Sequence, residues 1–264
     1  MAVAVRGVGK TYSGPPEVHA VGDVSFEVAR GEIVTVVGPS GCGKSTLLHM
    51  IAGLVLPSRG EILVSGAPVA GRIPPSLGYM FQRDTVLPWY TVRRNAGLAL
   101  EYAGWDRARI HERVDALLAL GRLSAYADLY PYQLSGGMRR RLALVMTLAR
   151  EPAVLLMDEP FGALDTHTKT RLHADLLEIL HRLGQTAIFV THDLAEAITL
   201  GHRVIVLSGP PSRVLLDHST TLPRDRDVYT IRETDEFMVS FKRVWHVLGE
   251  EFRRGEPEPE AVQR

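Results

Sequence analysis

The chain has 264 residues, of which 45% are apolar, enough for one large domain or two small ones with a full core. Thirty Lys and Arg balance thirty Asp and Glu, which leaves no global electrostatic footprint for nucleic acid, and no apolar run approaches the roughly 18–20 residues that span a bilayer. A single cysteine makes no internal disulfide, and the N-terminus shows no charged-then-apolar leader. The expected compartment is therefore the cytoplasm, with any membrane role peripheral and through partners.

In chain order, Val3 and Val5, then Val24, Phe26 and Val28, alternate with other residues and predict strands of a small antiparallel sheet. Tyr12 falls in the turn-rich segment between them, before Gly14-Pro15-Pro16. On local sequence alone a half-exposed surface tyrosine is the better reading, and stacking on an adenine ring is the alternative.

Ile33–Val37 is a short, largely β-branched run that predicts a buried strand. Gly38-Pro39-Ser40-Gly41-Cys42-Gly43-Lys44-Ser45-Thr46 follows at once and fits the phosphate-cradling pattern G-x-x-x-x-G-K-[ST]. Residues 46–52 then predict a helix ending at Gly53. Strand, glycine loop and helix are the context this pattern needs: glycines let backbone N–H groups turn toward one phosphate, and the helix N-terminus adds its positive end. Lys44 would reach the β- and γ-phosphates, and Ser45 would ligate Mg²⁺. Cys42 reads as a small filler of the loop.

Tyr79-Met80-Phe81-Gln82 ends a predicted strand, and Leu87-Pro88-Trp89-Tyr90-Thr91-Val92 sets two aromatics beside a proline. From about Arg83 to Glu151 the pattern is helical. Ile110, Val114, Leu117, Leu118 and Gly121 mark one amphipathic helix; Leu142, Val145, Met146 and Ala149 mark another. The second opens on Leu134-Ser135-Gly136-Gly137-Met138, a candidate second phosphate contact. The whole region reads as a helical insertion in an α/β domain.

Ala153–Met157 predicts a second buried strand, ending in Asp158-Glu159. Adjacent carboxylates there are costly unless they act. Asp158 suits Mg²⁺, through a water, and Glu159 suits polarising an attacking water. Asp165 caps a helix that Gly184 stops. Thr186–Thr191 predicts a third strand, followed by His192-Asp193. Ligands of open α/β sheets collect at the carboxyl ends of strands, which favours a functional His192. Arg203–Leu207 and Arg213–Asp217 predict closing strands. Asp235 begins a last helix with Phe237, Phe241, Val244, Trp245, Leu248 and Phe252 on one face, suited to packing on this chain or on a subunit of the same complex. Glu256-Pro257-Glu258-Pro259-Glu260 reads as a disordered tail.

Taken in order, these motifs resemble the ATP-binding subunit of an ABC transporter over nearly the whole chain. Gly38–Thr46 is similar to the Walker A loop, Gln82 to the Q-loop glutamine and Leu134–Met138 to the ABC signature. Val154–Glu159 is similar to Walker B with its catalytic glutamate, Ala163-Leu164-Asp165 to the D-loop and His192 to the switch histidine. Tyr12 falls where the family places its adenine-stacking aromatic, which reverses its local reading. Phe81–Trp89, Met138 and Leu222–Val228 resemble importers of the nitrate, sulfonate and taurine type. Arg140 departs from that pattern, where Gln is frequent, as does Met146-Thr147 in place of Arg-Ala.

The resemblance implies an α/β fold: a P-loop NTPase core with an N-terminal antiparallel β-subdomain and an inserted α-helical subdomain. It implies a cassette over 1–222 with the helical part at about 83–151, a C-terminal extension over 223–254 and a tail over 255–264. Glu159, His192, Gln82 and Lys44 are its implied catalytic residues. Tyr12, Gly38–Thr46, Ser135, Gly136, Gly137 and Asp165 would bind ATP, and Ser45, Gln82 and Asp158 would hold Mg²⁺. The implied assembly is a head-to-tail homodimer beneath two permease subunits, on the cytoplasmic side of the membrane, with an extracytoplasmic solute-binding protein and no nucleic acid. DNA-repair or translation ATPases of this type usually carry coiled-coil or zinc insertions or tandem cassettes, and this sequence has one cassette. A protein that binds ATP without hydrolysing it would not need Glu159 and His192.

Overall fold

A computed structural model describes residues 1–162 and 164–255. Ala163 of the expected D-loop and residues 256–264 of the expected tail lie outside the described residues.

The chain opens with β1 (Val3–Tyr12), β2 (Val18–Val28) and β3 (Ile33–Val37), then α1 (Lys44–Ile51). Next come β4 (Arg59–Val64), β5 (Ala67–Pro68) and β6 (Leu77–Met80). The segment after β6 carries α2 (Val92–Tyr102), α3 (Arg107–Leu120), two 3₁₀ turns and α4 (Gly136–Leu148). It returns as β7 (Val154–Asp158), α5 (Thr166–Arg182), β8 (Thr186–Val190), α6 (Leu194–Leu200), β9 (Arg203–Leu207), β10 (Ser212–Ser219) and α7 (Asp235–Gly255).

The described strands form one sheet, in the order β5-β4-β1-β2-β10-β9-β3-β8-β7-β6. From β9 to β6 neighbours are parallel, while β5, β4, β1 and β2 form an antiparallel end. β10 joins the two parts, parallel to β2 and antiparallel to β9. Every residue of β3, β7 and β8 is buried, as parallel strands covered on both faces require. Alternate side chains serve opposite cores. Val154, Leu156, Ile188 and Val190 pack with α1 and the antiparallel strands. Leu155, Met157, Ala187 and Phe189 pack with the helical segment and α5.

Two expectations are corrected. Tyr12 is the last residue of β1, paired with Val18 across the strands, rather than part of a turn. In α7, Phe237, Val244 and Leu248 are buried against α6 and its neighbours, whereas Trp245 and Phe252 are 54% and 44% exposed. The helical period explains the split. The buried three lie within about 20° of one another's mean direction, while Phe252 and Trp245 lie about 60° and 80° round from Phe237.

Candidate functional site

The glycine loop leaves β3 at the carboxyl end of the parallel strands, and α1 begins at Lys44, two residues earlier than the sequence predicts. Gly43 is its cap residue at φ +91, and a Cβ there would meet Ala20 O at 2.8 Å. Left-handed geometry and close backbone approach both demand glycine. Gly38 is similarly crowded, by Cys42 Sγ and Leu207 O. Cys42 is fully buried behind the loop, where burial pushes its thiol up; it is a filler.

Lys44 is buried, and its ammonium donates to Gly38 O and Pro39 O, each at 2.9 Å. These are satisfied hydrogen bonds within the loop, so the charge is held at the phosphate cradle. Ser45 Oγ donates to Asp158 Oδ1 at 3.0 Å, and Tyr79 OH donates to Oδ2 at 3.4 Å. Burial raises the Asp158 carboxyl above its ordinary range, and the Ser45 hydrogen bond opposes that. Burial and then the Asp158 charge push the Tyr79 phenol up, which keeps it a neutral donor.

Glu159 adopts φ +42, a left-handed conformation uncommon for a residue with a side chain. Its N–H donates to Val190 O at 2.9 Å, which ties β7 to the end of β8. Gln82 Nε2 donates to Glu159 Oε2 at 3.1 Å, and His192 Nδ1 lies 3.2 Å from the same oxygen. Ser40, Gly41, Lys44, Thr46, Gln82, Glu159 and His192 line one cleft of about 630 Å³. Tyr12 is 39% exposed with Lys10 Nζ 5.0 Å above its ring, and is not among the described residues lining that cleft.

Ser135 is the N-cap of α4, its Oγ accepting from the Met138 N–H at 3.3 Å. Ser135 and Gly137 face a second cleft of about 310 Å³, shared with Arg122, Arg141 and Arg171, and none of its lining residues also lines the first cleft. Gly136 backs onto Leu164, since a Cβ there would meet its side chain at 3.3 Å. Asp165 caps α5 by accepting from the Thr168 N–H at 3.0 Å; that bond holds its carboxyl below the ordinary range.

Sequence reasoning missed the supports. Behind His192, Thr191 Oγ1 donates to Glu196 Oε2, and His173 Nε2 lies 2.7 Å from Glu196 Oε1, all three residues buried. Asp193 accepts from the Glu196 N–H at 3.0 Å to begin α6. The spacing Asp193-x-x-Glu196 is a helix-start signal that points to this pair. Asn95, 1% exposed, staples the Leu87–Thr91 segment: its amide donates to the carbonyls of Leu87, Tyr90 and Thr91, and its oxygen accepts from the Leu87 N–H. Trp89 stands 65% exposed on that staple.

Known proteins resemble this chain in sequence and in fold. A family model for ABC transporters matches residues 21–162. An ATP-binding protein of Brucella abortus is 44% identical over 229 residues, covering 87% of each chain. The aliphatic sulfonates import ATP-binding protein SsuB of Bacillus cereus is 36% identical, covering 97% of each. The dimeric ATP-binding cassette MJ0796, in a post-hydrolysis state bound to ADP and Pi, superposes with a TM-score of 0.71. It is 29% identical, over 82% of this chain and 98% of the other.

Proposed function

The chain belongs to the ABC transporter family as an ATP-hydrolysing subunit of the importer type, and from that premise we propose that it energises uptake of a small solute through separate permease subunits. A sulfonate, nitrate, taurine or a related compound is the proposed solute class, supported by the Phe81–Trp89 segment and by the sulfonate importer relative. One observation carries the chemistry: Gln82, Glu159 and His192, distant in sequence, converge on one cleft with Lys44.

In the proposed mechanism Lys44 turns its ammonium to the β- and γ-phosphates of ATP. Ser45 Oγ donates to Asp158 Oδ1 at 3.0 Å, so two hard oxygen groups of the kind Mg²⁺ takes stand together at the loop; Ser45 would ligate the ion and Asp158 would hold it through a water. An ion held by these residues would neutralise charge on the phosphate oxygens. Glu159 polarises the attacking water and accepts its proton, a role typically contributing ~10²–10⁴ in rate. Gln82 and His192, both on Glu159 Oε2, fix that carboxylate and report the γ-phosphate. Tyr12, exposed beside Lys10, stacks on the adenine.

Two copies pair head to tail. The Ser135-Gly136-Gly137 start of α4 then faces the phosphates held by the partner's loop, where a helix N-terminus favours an anion. The separate clefts within one chain support this arrangement. ATP is bound well only in the closed dimer, and hydrolysis releases it, a population shift that the permease converts into alternating access. The groove of about 590 Å³ between α2 and α3, whose lining begins at Thr91, two positions after the exposed Trp89, is the proposed permease contact. The subunit is then peripheral on the cytoplasmic face, with a solute-binding protein completing the system. The proposed organisation is a cassette over 1–222 with its helical part at about 83–151, then an extension over 223–254.

Calorimetry with ATP and a phosphate-release assay on the purified chain test this directly. Wild type should bind ATP and turn it over with Mg²⁺, and Lys44→Ala should lose both. Unchanged ATP affinity in Lys44→Ala would remove the loop from nucleotide binding.

A further inference from the structure

Phe81-Gln82-Arg83-Asp84 follows β6 without regular secondary structure, so its carbonyls need partners from elsewhere. Arg140, one turn into α4 and only 9% exposed, supplies them. Its Nη1 donates to Phe81 O at 3.2 Å and its Nη2 to Gln82 O. The same guanidinium pairs with Asp84 Oδ1 at 3.4 Å. Asp84 also takes Arg139 Nε on its other oxygen at 3.4 Å, and Arg139 Nη1 donates to Leu134 O at 2.7 Å. Two consecutive arginines of α4 thus clasp the Gln82 loop, one of them also gripping the carbonyl just before Ser135.

The chemistry suits a rigid link. A planar guanidinium fork with five donors holds two carbonyls and a carboxylate in a fixed geometry; the amide of Gln has only two N–H donors, and the ammonium of Lys has three but no rigid fork. Burying a cation with one half-exposed carboxylate for company is costly, and burial pulls Arg140 below the usual arginine range against the Asp84 charge. Fold alone does not require that: the position lies beside apolar Met80 and Leu144. The path runs from Glu159 to the Gln82 side chain at 3.1 Å, from the Gln82 carbonyl to Arg140, and along one helical turn to Ser135.

We propose that Arg140 is a positioning residue that locks the backbone of Gln82 to α4, so that the γ-phosphate state read by Gln82 sets the orientation of Ser135 presented to the partner copy. The proposal rests on the reading of Gln82 and Ser135 given above. Among the described residues Arg140 alone holds the Gln82 carbonyl, while Arg139 reaches the loop only through Asp84.

The test is a double-mutant cycle on MgATP turnover at saturating ATP, with ATP affinity measured by calorimetry. Arg140→Gln and Arg140→Lys should each keep ATP affinity within about twofold and lower kcat about tenfold or more. In a Gln82→Ala background Arg140→Gln should lower kcat by less than twofold, because the joint then has nothing to transmit. Asp84→Asn, at an exposed site, should lower kcat severalfold with the same non-additivity, and it serves if Arg140→Gln does not fold. Wild-type kcat in Arg140→Gln, or losses that multiply with Gln82→Ala, would overturn the proposal while leaving ATP hydrolysis by the wild type intact. An inactive wild type would overturn both the functional reading and the proposal.

Discussion

His192 Nδ1 stands 3.2 Å from Oε2 of Glu159, the oxygen that also accepts from Gln82 Nε2. The Gln82 hydrogen bond and the His192 ring beside the same oxygen hold the carboxylate in place, and Oε1 is the oxygen left to take a water. Glu159→Gln keeps the shape and removes the base. Turnover should fall by ~10²–10⁴ while ATP affinity is retained. The variant should accumulate as an ATP-bound dimer in size-exclusion chromatography with MgATP, and normal turnover would remove Glu159 from the mechanism.

Ser135 and Lys44 line different clefts of one chain, so damage at Ser135 should appear in trans. Ser135→Arg removes the cap of α4, costing about 1 kcal/mol of stability, and fills the second cleft. In a mixed dimer of one mutant and one wild-type copy, the site built on the wild-type loop should fail and the other should remain. Failure of the site in the mutant's own loop would contradict head-to-tail pairing.

Trp89 is 65% exposed and lies beside Tyr90, whose ring is covered by the Arg94 guanidinium at 4.2 Å. Asn95 holds the backbone here, so neither aromatic is needed to shape the segment. Trp89→Ala should therefore leave the melting temperature and basal ATPase near wild type while reducing transport in vesicles with the permease severalfold. Exposed aromatics anchoring a partner behave this way. Wild-type transport in the variant would place the permease contact elsewhere.

His202 ties acid stability to the far end of the parallel strands. Its Nδ1 accepts from the Ile33 N–H at 3.2 Å, stacked against His181. Burial, then the charges of Arg226 and Arg224 and His181, lower it from 6.5 to about 4. The unfolded chain takes up this proton first, so its contribution to stability is present above pH 6.5 and is lost as pH falls toward 4. The melting temperature should drop between pH 6.5 and 5, above the range where most carboxylates titrate. His202→Gln, which keeps an acceptor for Ile33, should flatten that drop; an unchanged slope would assign it to other groups.

Local chemistry was legible in the sequence because it is written in consecutive residues. The buried runs at β3, β7 and β8, the glycine loop and the cap Asp165 each depend on neighbours a few positions away. The polar supports were not legible. Tyr79 on Asp158, Glu196 under Thr191 and Arg140 on the Gln82 loop are pairings of side chains from different elements, which periodicity does not report. In α7 the helical period orders the apolar stripe, and the packing against α6 sets its width, which leaves Trp245 and Phe252 outside it.

The sequence by itself determined which residue types stand at the ends of three buried strands, because burial on both faces leaves polar groups nowhere else to go. Only the tertiary structure decided that Gln82, from the end of a fourth strand, and His192 meet on one oxygen of Glu159. Gln82 and Glu159 are 77 positions apart. They meet because β6, β7 and β8 are adjacent and parallel, which brings their carboxyl ends to one edge of the sheet.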